Sequence, residues 1–314
     1  MPNLPNSDGP VLGRGIARQP EFVVSGVLGR GAGAEYIQSD EGRRVTMSEP
    51  IWAGYFAHWL SRRVRVYRLP ERDYCSGAQI LLLAPDEPAP TQPYIDLYYN
   101  ECLPGYLSSL FGHLAINVDG KVFSFSETLN ENEEMSLEEF LYRPALGEFS
   151  GHPDTHTFNV DDPKRPYYEK FGRRFMRAIH ALRIEGLDTA RLTERLRMDV
   201  TMIQETPPNP RRPHKYRDFH ILHRSCTSII RDALRNAGLR EVSGILPREL
   251  FLNIAYQATR PNKRGFLSVR AFRLDQLKVP ERAHSRPSPI MNPLNRLRMS
   301  RLRSIPGSSE ILPR

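Results

Sequence analysis

The run GHLAINVDGKVFSF, residues 112–125, decides how the middle of this chain folds. At its centre stands Asp119-Gly120, a strong two-residue signal for a β-hairpin turn. A two-residue turn fixes the register on both sides. Val118 then faces Lys121, Ile116 faces Phe123, Ala115 faces Ser124 and His113 faces Ser126. Side chains alternate between the two faces of a strand. One face therefore carries Leu114, Ile116, Val118, Phe123 and Phe125 and is expected to pack inward. The other carries His113, Ala115, Asn117, Val122, Ser124 and Ser126, and its smaller, more polar surface is expected to border a cleft. His113 gains Ser126 directly across the ladder and Ser124 diagonally.

More than a hundred residues later the chain reads ILHRSCTSIIRDALRNAGL, residues 221–239. Ile229, Ile230, Ala233, Leu234 and Ala237 recur at helical spacing, Ser225 suits the N-cap, and Gly238 is a stop signal. Cys226 then falls in the first turn, where free N–H groups and the helix dipole favour an anion and lower a thiol's pKa. A sulfur poised as an anion, an imidazole to take its proton and a group to orient that imidazole are what nucleophilic catalysis requires. Backbone N–H groups at the same helix start are suited to an oxyanion.

The two motifs together, GHLAINVDGKVFSF followed by CTSIIRDALRNAGL, resemble the circularly permuted branch of the NlpC-type papain-like superfamily. Lecithin:retinol acyltransferase-like proteins share that order, with the histidine strand before the cysteine helix. The resemblance runs over residues 78–274. It implies an α+β fold in which an antiparallel sheet packs against the helix that carries the cysteine. Cys226 matches the nucleophile and His113 the base. Ser124 falls near the third polar position, where a His, Asn or acidic residue is commoner, so the orienting role stays open between Ser124, Ser126 and another residue. Members of the permuted branch cleave or transfer acyl groups, often of phospholipids. Others in the wider superfamily cut cell-wall peptides.

Around these motifs the chain divides into three parts. Residues 1–77 form an N-terminal extension whose Gly- and Pro-rich start, including RGAGAE and SDEGRR, reads as loops. It holds one amphipathic helix over 49–62, with Ser48 as cap, Pro50 in the first turn and Ile51, Trp52, Tyr55, Phe56, Trp59 and Leu60 on a broad apolar face. Residues 78–275 form the catalytic domain. AQILLLA, PYIDLYY, DTHTFNV and FLSVRAFRL are expected as strands. SLEEFLY is expected as a short helix capped by Ser136, with helices also over 167–182, over 188–205 after Asp188, and from Pro247. TPPNPRRPHKY reads as a loop. Residues 276–314 carry eight basic and two acidic side chains among Pro and Ser, and are expected to be a disordered basic tail.

The remaining composition narrows the possibilities. With 314 residues, 39% hydrophobic and 25% charged, the chain can bury a sizeable core. Nothing in it approaches the roughly 18 consecutive apolar residues of a membrane span. The first residues lack a signal-peptide pattern, so synthesis in the cytoplasm is expected, with export by a dedicated secretion system as an open route. Cys75, Cys102 and Cys226 are too few and too scattered for a disulfide framework. His220, His223 and Cys226, or His152, Asp154 and His156, lack the spacing of a zinc site, and the acidic run from Glu127 to Glu139 lacks a calcium-loop pattern. No metal or cofactor is expected.

These observations lead to a cysteine-dependent acyl hydrolase or acyltransferase, phospholipase-like, working through a thioester at Cys226. The permuted order, the aromatic helix and the basic tail favour phospholipid acyl esters. The expected partner is a lipid or membrane surface rather than nucleic acid, with an immunity or delivery protein if the chain is a bacterial toxin or effector. A peptidase or amidase on cell-wall peptide, and an inactive interaction protein, are the alternatives.

Overall fold

A computed structural model of the chain describes residues 21–47, 59–72, 79–86, 90–103, 110–126, 132–137, 140, 178–210, 212–216, 218–220, 223–260, 267–274 and 285–311. The chain is α+β and falls into two compact units, with the break between Glu87 and Pro88.

The first unit is a five-stranded antiparallel sheet. Its strands are β1 (Glu21–Arg30), β2 (Glu35–Ser39), β3 (Arg44–Thr46), β4 (Arg63–Arg72) and β5 (Gln79–Pro85), in the order β3-β2-β1-β4-β5. The two stretches expected as loops supply its turns. Gly31 N–H donates to Ala34 O, and Gly42 takes φ +78° after β2. Val24, Leu28, Ile37, Val64, Val66 and Leu83 are buried at alternating positions, the period a strand imposes. The extension, expected as loops and one helix, therefore holds a sheet that the sequence did not suggest. Trp59 is helical and Leu60 to Arg62 turn the chain into β4, and the rest of the expected helix lies outside the described residues. The expected domain start at residue 78 moves as well, because Gln79–Pro85 pairs with β4, placing Leu83 against Val66. A short apolar strand reads alike whether it opens one domain or closes another.

The second unit is built on a six-stranded antiparallel sheet in the order β13-β10-β6-β7-β8-β9. It comprises β6 (Tyr94–Asn100), β7 (His113–Val118), β8 (Lys121–Ser124), β9 (Glu133–Ser136), β10 (Ile179–Glu185) and β13 (Ser268–Leu274). A separate small pair, β11 (Pro208–Asn209) with β12 (Arg212–Tyr216), occupies the proline-rich stretch expected as a loop. Asp119 and Gly120 both take positive φ between β7 and β8, at +48° and +90°. Their ladder has Ala115 opposite Ser124 and Val118 opposite Lys121, the register that the turn fixes.

Three helices cover one face of this sheet: α1 (Thr189–Glu205), α2 (Cys226–Asn236) and α3 (Pro247–Ala258). Leu192, Leu196, Ile230, Ala233, Leu234, Leu250 and Ile254 from the helices share one core with Ile95, Leu97, Leu114, Ile116, Val118, Phe123, Leu182 and Ile184 from the strands. The expected starts at Asp188 and Pro247 hold. Asp188 accepts a hydrogen bond from Arg191 N, and Pro247 sits in the first turn of α3.

Residues 179–182 are in β10 rather than in the helix expected over 167–182. Ile179, Ala181 and Leu182 satisfy a helical spacing and also a strand buried on both faces. The lateral pairing of β10 with β6 and β13 selects the strand. Ser136 is the last residue of β9 and stands directly before Leu137, which is helical, so the helix expected at SLEEFLY starts where Ser136 would cap it, while Glu133 and Glu134 of the acidic run are strand residues. Residues 285–311 of the expected tail are ordered: α4 (Pro293–Leu302) and α5 (Ser308–Ile311) fold onto the second unit, with Ile290, Leu302 and Ile305 in its main core. Proline and arginine suggested a solvated tail, but a few aliphatic residues and backbone pairing suffice to dock it. Cys102 and Arg286 exchange backbone hydrogen bonds of 3.0 and 3.1 Å, and Ala271 N–H donates to Pro306 O at 2.8 Å. Among the described residues no helix is long and apolar enough to cross a membrane.

Candidate functional site

Cys226 is the first residue of α2, and the local sequence explains why. Ser225 is extended at the N-cap, and its Oγ accepts from Ser228 N–H while Ser228 Oγ accepts from Ser225 N–H at 2.8 Å. This reciprocal cap satisfies two of the donors that a helix start leaves unpaired. The far end closes with Gly238 at φ +109°, where Leu239 N–H donates to Leu234 O and Gly238 N–H to Arg235 O. Cys226 is half-buried, packs against the main core, and has its sulfur 3.8 Å from Thr227 Oγ1.

His113 opens β7 and is half-buried. Its Nε2 lies 2.9 Å from Ser124 Oγ. Of the two hydroxyls the sequence offered, Ser124 therefore contacts the imidazole Nε2. Ser126 follows the last ladder pair and is held through its backbone, with N–H donating to Asn132 Oδ1 and carbonyl accepting from Asn132 Nδ2. A ring bonded to Ser124 through Nε2 has Nδ1 as its second basic position.

The structure brings His113 to Ser124, and it sets Cys226 on a different layer. Leu114, Ile116 and Val118 pack with α2, whereas Ala115 and Val122 belong to a second cluster with Tyr98, Met135, Ile179 and Ala181. The bond to Ser124 places His113 on this second face. The face expected to border a cleft is itself closed: Ala115, Asn117 and Val122 are fully buried. The expectation failed because strands buried on both faces alternate large with small residues as readily as apolar with polar ones.

Two buried polar clusters escaped the sequence reading. On the His113 face, Asp96 receives Arg183 Nε at 2.6 Å and Nη2 at 2.8 Å, Asn117 Nδ2 at 3.1 Å and the Tyr98 hydroxyl at 3.2 Å. Asn117 and Arg183 are the direct neighbours of Asp96 on β7 and β10. Asn117 Oδ1 also accepts from Gly120 N–H at 2.9 Å, tying the hairpin turn to the network. Arg183 lies over the rings of Tyr94 and Phe272, at 4.6 and 5.7 Å. Burial and the Asp96 charge push the Tyr98 phenol well above its ordinary range.

On the helix-covered face, His180 Nε2–H donates to Glu101 Oε1 at 2.8 Å, and the Ser285 hydroxyl donates to Glu101 Oε2 at 2.8 Å. Burial pushes the Glu101 carboxyl up, but the bonds from His180 and Ser285 outweigh it and hold the group below the usual glutamate range. The carboxylate stands between imidazole and hydroxyl, so this is not a serine–histidine–acid relay. The signals were a polar residue inside each of two apolar strands, Asp96 in YIDLYYN and His180 in AIHALRI, and their significance depends on pairing.

A tight turn, in which His220 O accepts from both His223 N–H and Arg224 N–H, stacks the His220 and His223 rings 4.7 Å apart. Among the described residues no group of three or more His, Cys, Asp or Glu is arranged to hold a metal ion. Cys102 is buried with its thiol donating to Arg286 O at 2.9 Å. Cys75, His152, Asp154 and His156 lie outside the described residues, as do the strand expected at DTHTFNV and most of the helix expected at SLEEFLY. Comparison with protein families, curated proteins and solved structures finds no match to this chain.

Proposed function

We propose that the chain is a cysteine-dependent acyl hydrolase or acyltransferase acting on phospholipid acyl esters, with a permuted papain-like core. The observation that carries this reading is the His113–Ser124 bond of 2.9 Å, together with a cysteine at the capped start of α2. Ser124 Oγ orients the ring through Nε2, and Nδ1 acts as the base. Nδ1 takes the thiol proton, and the Cys226 sulfur attacks the ester carbonyl. The tetrahedral oxyanion is met by N–H groups of the first turn. Collapse to the thioester expels the alcohol, protonated by the imidazolium, and water or a second hydroxyl then releases the acyl group. His113 and Cys226 both stand at the terminus of their element. The mechanism therefore needs the sulfur and the imidazole to meet around the start of β7, where Gly112 turns the chain at φ +81°.

Incubation with phospholipid vesicles followed by intact-mass measurement is the direct test. The expected result is an acyl adduct on Cys226, with lysolipid and fatty acid released. Cys226→Ala lowers turnover about a thousandfold or more, roughly 4 kcal/mol of transition-state stabilisation. His113→Asn costs about a hundredfold or more, and Ser124→Ala costs less, because it acts through the imidazole. Release of peptides from cell wall in place of lysolipid would assign the same residues to an amidase.

One observation favours a second reading, an inactive core serving as an interaction protein. The imidazole is on the face of the sheet opposite the one that α2 covers. Under that reading neither substrate turns over, and iodoacetamide labels Cys226 no faster than an ordinary thiol.

A further inference from the structure

The N-terminal half of helix α4 is built inside out, although Met299 and Leu302 near its end pack on the core. Its polar Asn295 is 2% exposed, while Leu294 and Leu297 are 56% and 71% exposed and Met291, just before the helix, is 70% exposed. A helix docked on a core normally presents the reverse pattern. This orientation is fixed. Asn292 Oδ1 accepts from Leu294 N–H at 2.9 Å and caps the helix, with Pro293 following as its first residue. The Glu249 carboxylate of α3 takes Asn295 Nδ2 and the backbone N–H groups of Met291 and Asn292. Leu302 is buried at the helix end. Glu249 and Asn295 thus hold the helix from within, and Leu294 and Leu297 point to solvent.

The segment that carries this ridge is basic, and among the described residues the one carboxylate that touches it, Glu249, lies on its inner side. Residues 286–309 hold five arginines and no Asp or Glu. Arg298 lies over the Tyr256 ring at 4.9 Å, and Arg296 donates to Ile290 O at 3.2 and 3.3 Å. Those partners are neutral, and among the described residues neither arginine is in an ion pair. Arg303 is exposed.

We infer that the outer face of α4 is a docking site for an anionic lipid surface. It deepens the lipid reading above by naming the surface that brings the protein to its substrate. Met291, Leu294 and Leu297 enter the acyl boundary while the arginines stay at the headgroup phosphates. Charge complementarity selects anionic lipid over neutral lipid. The aliphatic ridge selects a bilayer over nucleic acid, whose backbone offers it nothing. Two side chains on one short helix and one just before it also fall well short of the roughly 800 Å² per partner of a standard protein interface.

The test is co-sedimentation of the full chain with vesicles of phosphatidylcholine alone, or of equal parts phosphatidylcholine and phosphatidylglycerol. The expected result is at least about tenfold greater partition onto the anionic vesicles, weakened by salt. Leu294→Asn with Leu297→Asn lowers that partition about tenfold or more, with the melting temperature unchanged. Arg296→Gln with Arg303→Gln removes the preference for anionic lipid. The exposed pair Met198 and Met202 on α1 is the control, and Met198→Asn with Met202→Asn leaves binding intact. Equal partition onto both vesicles, no partition, or binding that survives loss of both leucines overturns the inference. So does leucine-dependent binding to polyglutamate without binding to vesicles, which makes the ridge an acidic-protein site. Cys226→Ala separates the two proposals: it binds vesicles like the wild type whether or not the wild type turns lipid over.

Discussion

Asp96 shows how much one side chain can decide. It is fully buried in a central strand, and its carboxylate is met from three strands by Arg183, Asn117 and Tyr98. Breaking such a pair leaves a buried charge uncompensated, so Asp96→Asn is expected to cost about 3–5 kcal/mol. Chemical denaturation measures it, and adding Arg183→Met should recover part of the loss by removing the stranded cation. Glu101 makes a pH-dependent contribution. Its carboxyl titrates lower folded than unfolded, so the stability it adds is complete above the unfolded glutamate pKa. That stability is lost as pH falls through the folded value. Melting temperatures taken across the acidic range should fall less steeply for Glu101→Gln than for the wild type. An equally steep fall in the variant would show that other carboxylates dominate.

The elements differ in how far their own residues specify them. Helix α2 carries both its stops: a reciprocal cap from Ser225 and Ser228, and a left-handed Gly238. Ser225→Ala removes a cap worth about 1 kcal/mol. It should lower the melting temperature by a few degrees and, if the proposed chemistry holds, loosen the turn that carries Cys226. Thermal melts of the variant check the first effect, and the iodoacetamide rate of Cys226 checks the second. Strand β10 has no such local instruction. Ile179, Ala181, Leu182 and Ile184 suit either period, and the strand exists because β6 and β13 pair with it along its length.

On the scale of the second unit, the tail is part of the core. Ile290, Leu302 and Ile305 are buried, and each is worth about 1.5–3 kcal/mol against exposure. A domain's net stability is only about 5–15 kcal/mol. Removal of residues 285–314 should therefore leave a protein that melts far below the full chain or does not fold. An unchanged melting curve would falsify the docked tail. Gly307 offers a finer probe. It takes φ +78°, and a Cβ there would run into the Ala271 carbonyl, so Gly307→Ala should release α5 without deleting anything.

The sequence by itself determined what is local. Asp119-Gly120 set the hairpin and its register, Ser225 and Gly238 bounded the cysteine helix, and Asp188 and Pro247 began two others. Turn chemistry and capping act within a few residues, so they can be read in a line. Tertiary structure decided which face of each strand met which layer. It put His113 with Ser124 on one side of the sheet and α2 on the other, joined Gln79–Pro85 to the first sheet, and folded an arginine-rich tail onto the second. The physical reason is that a pleated strand offers two faces of nearly equal character when both are buried. The choice between them rests on partners distant in the chain.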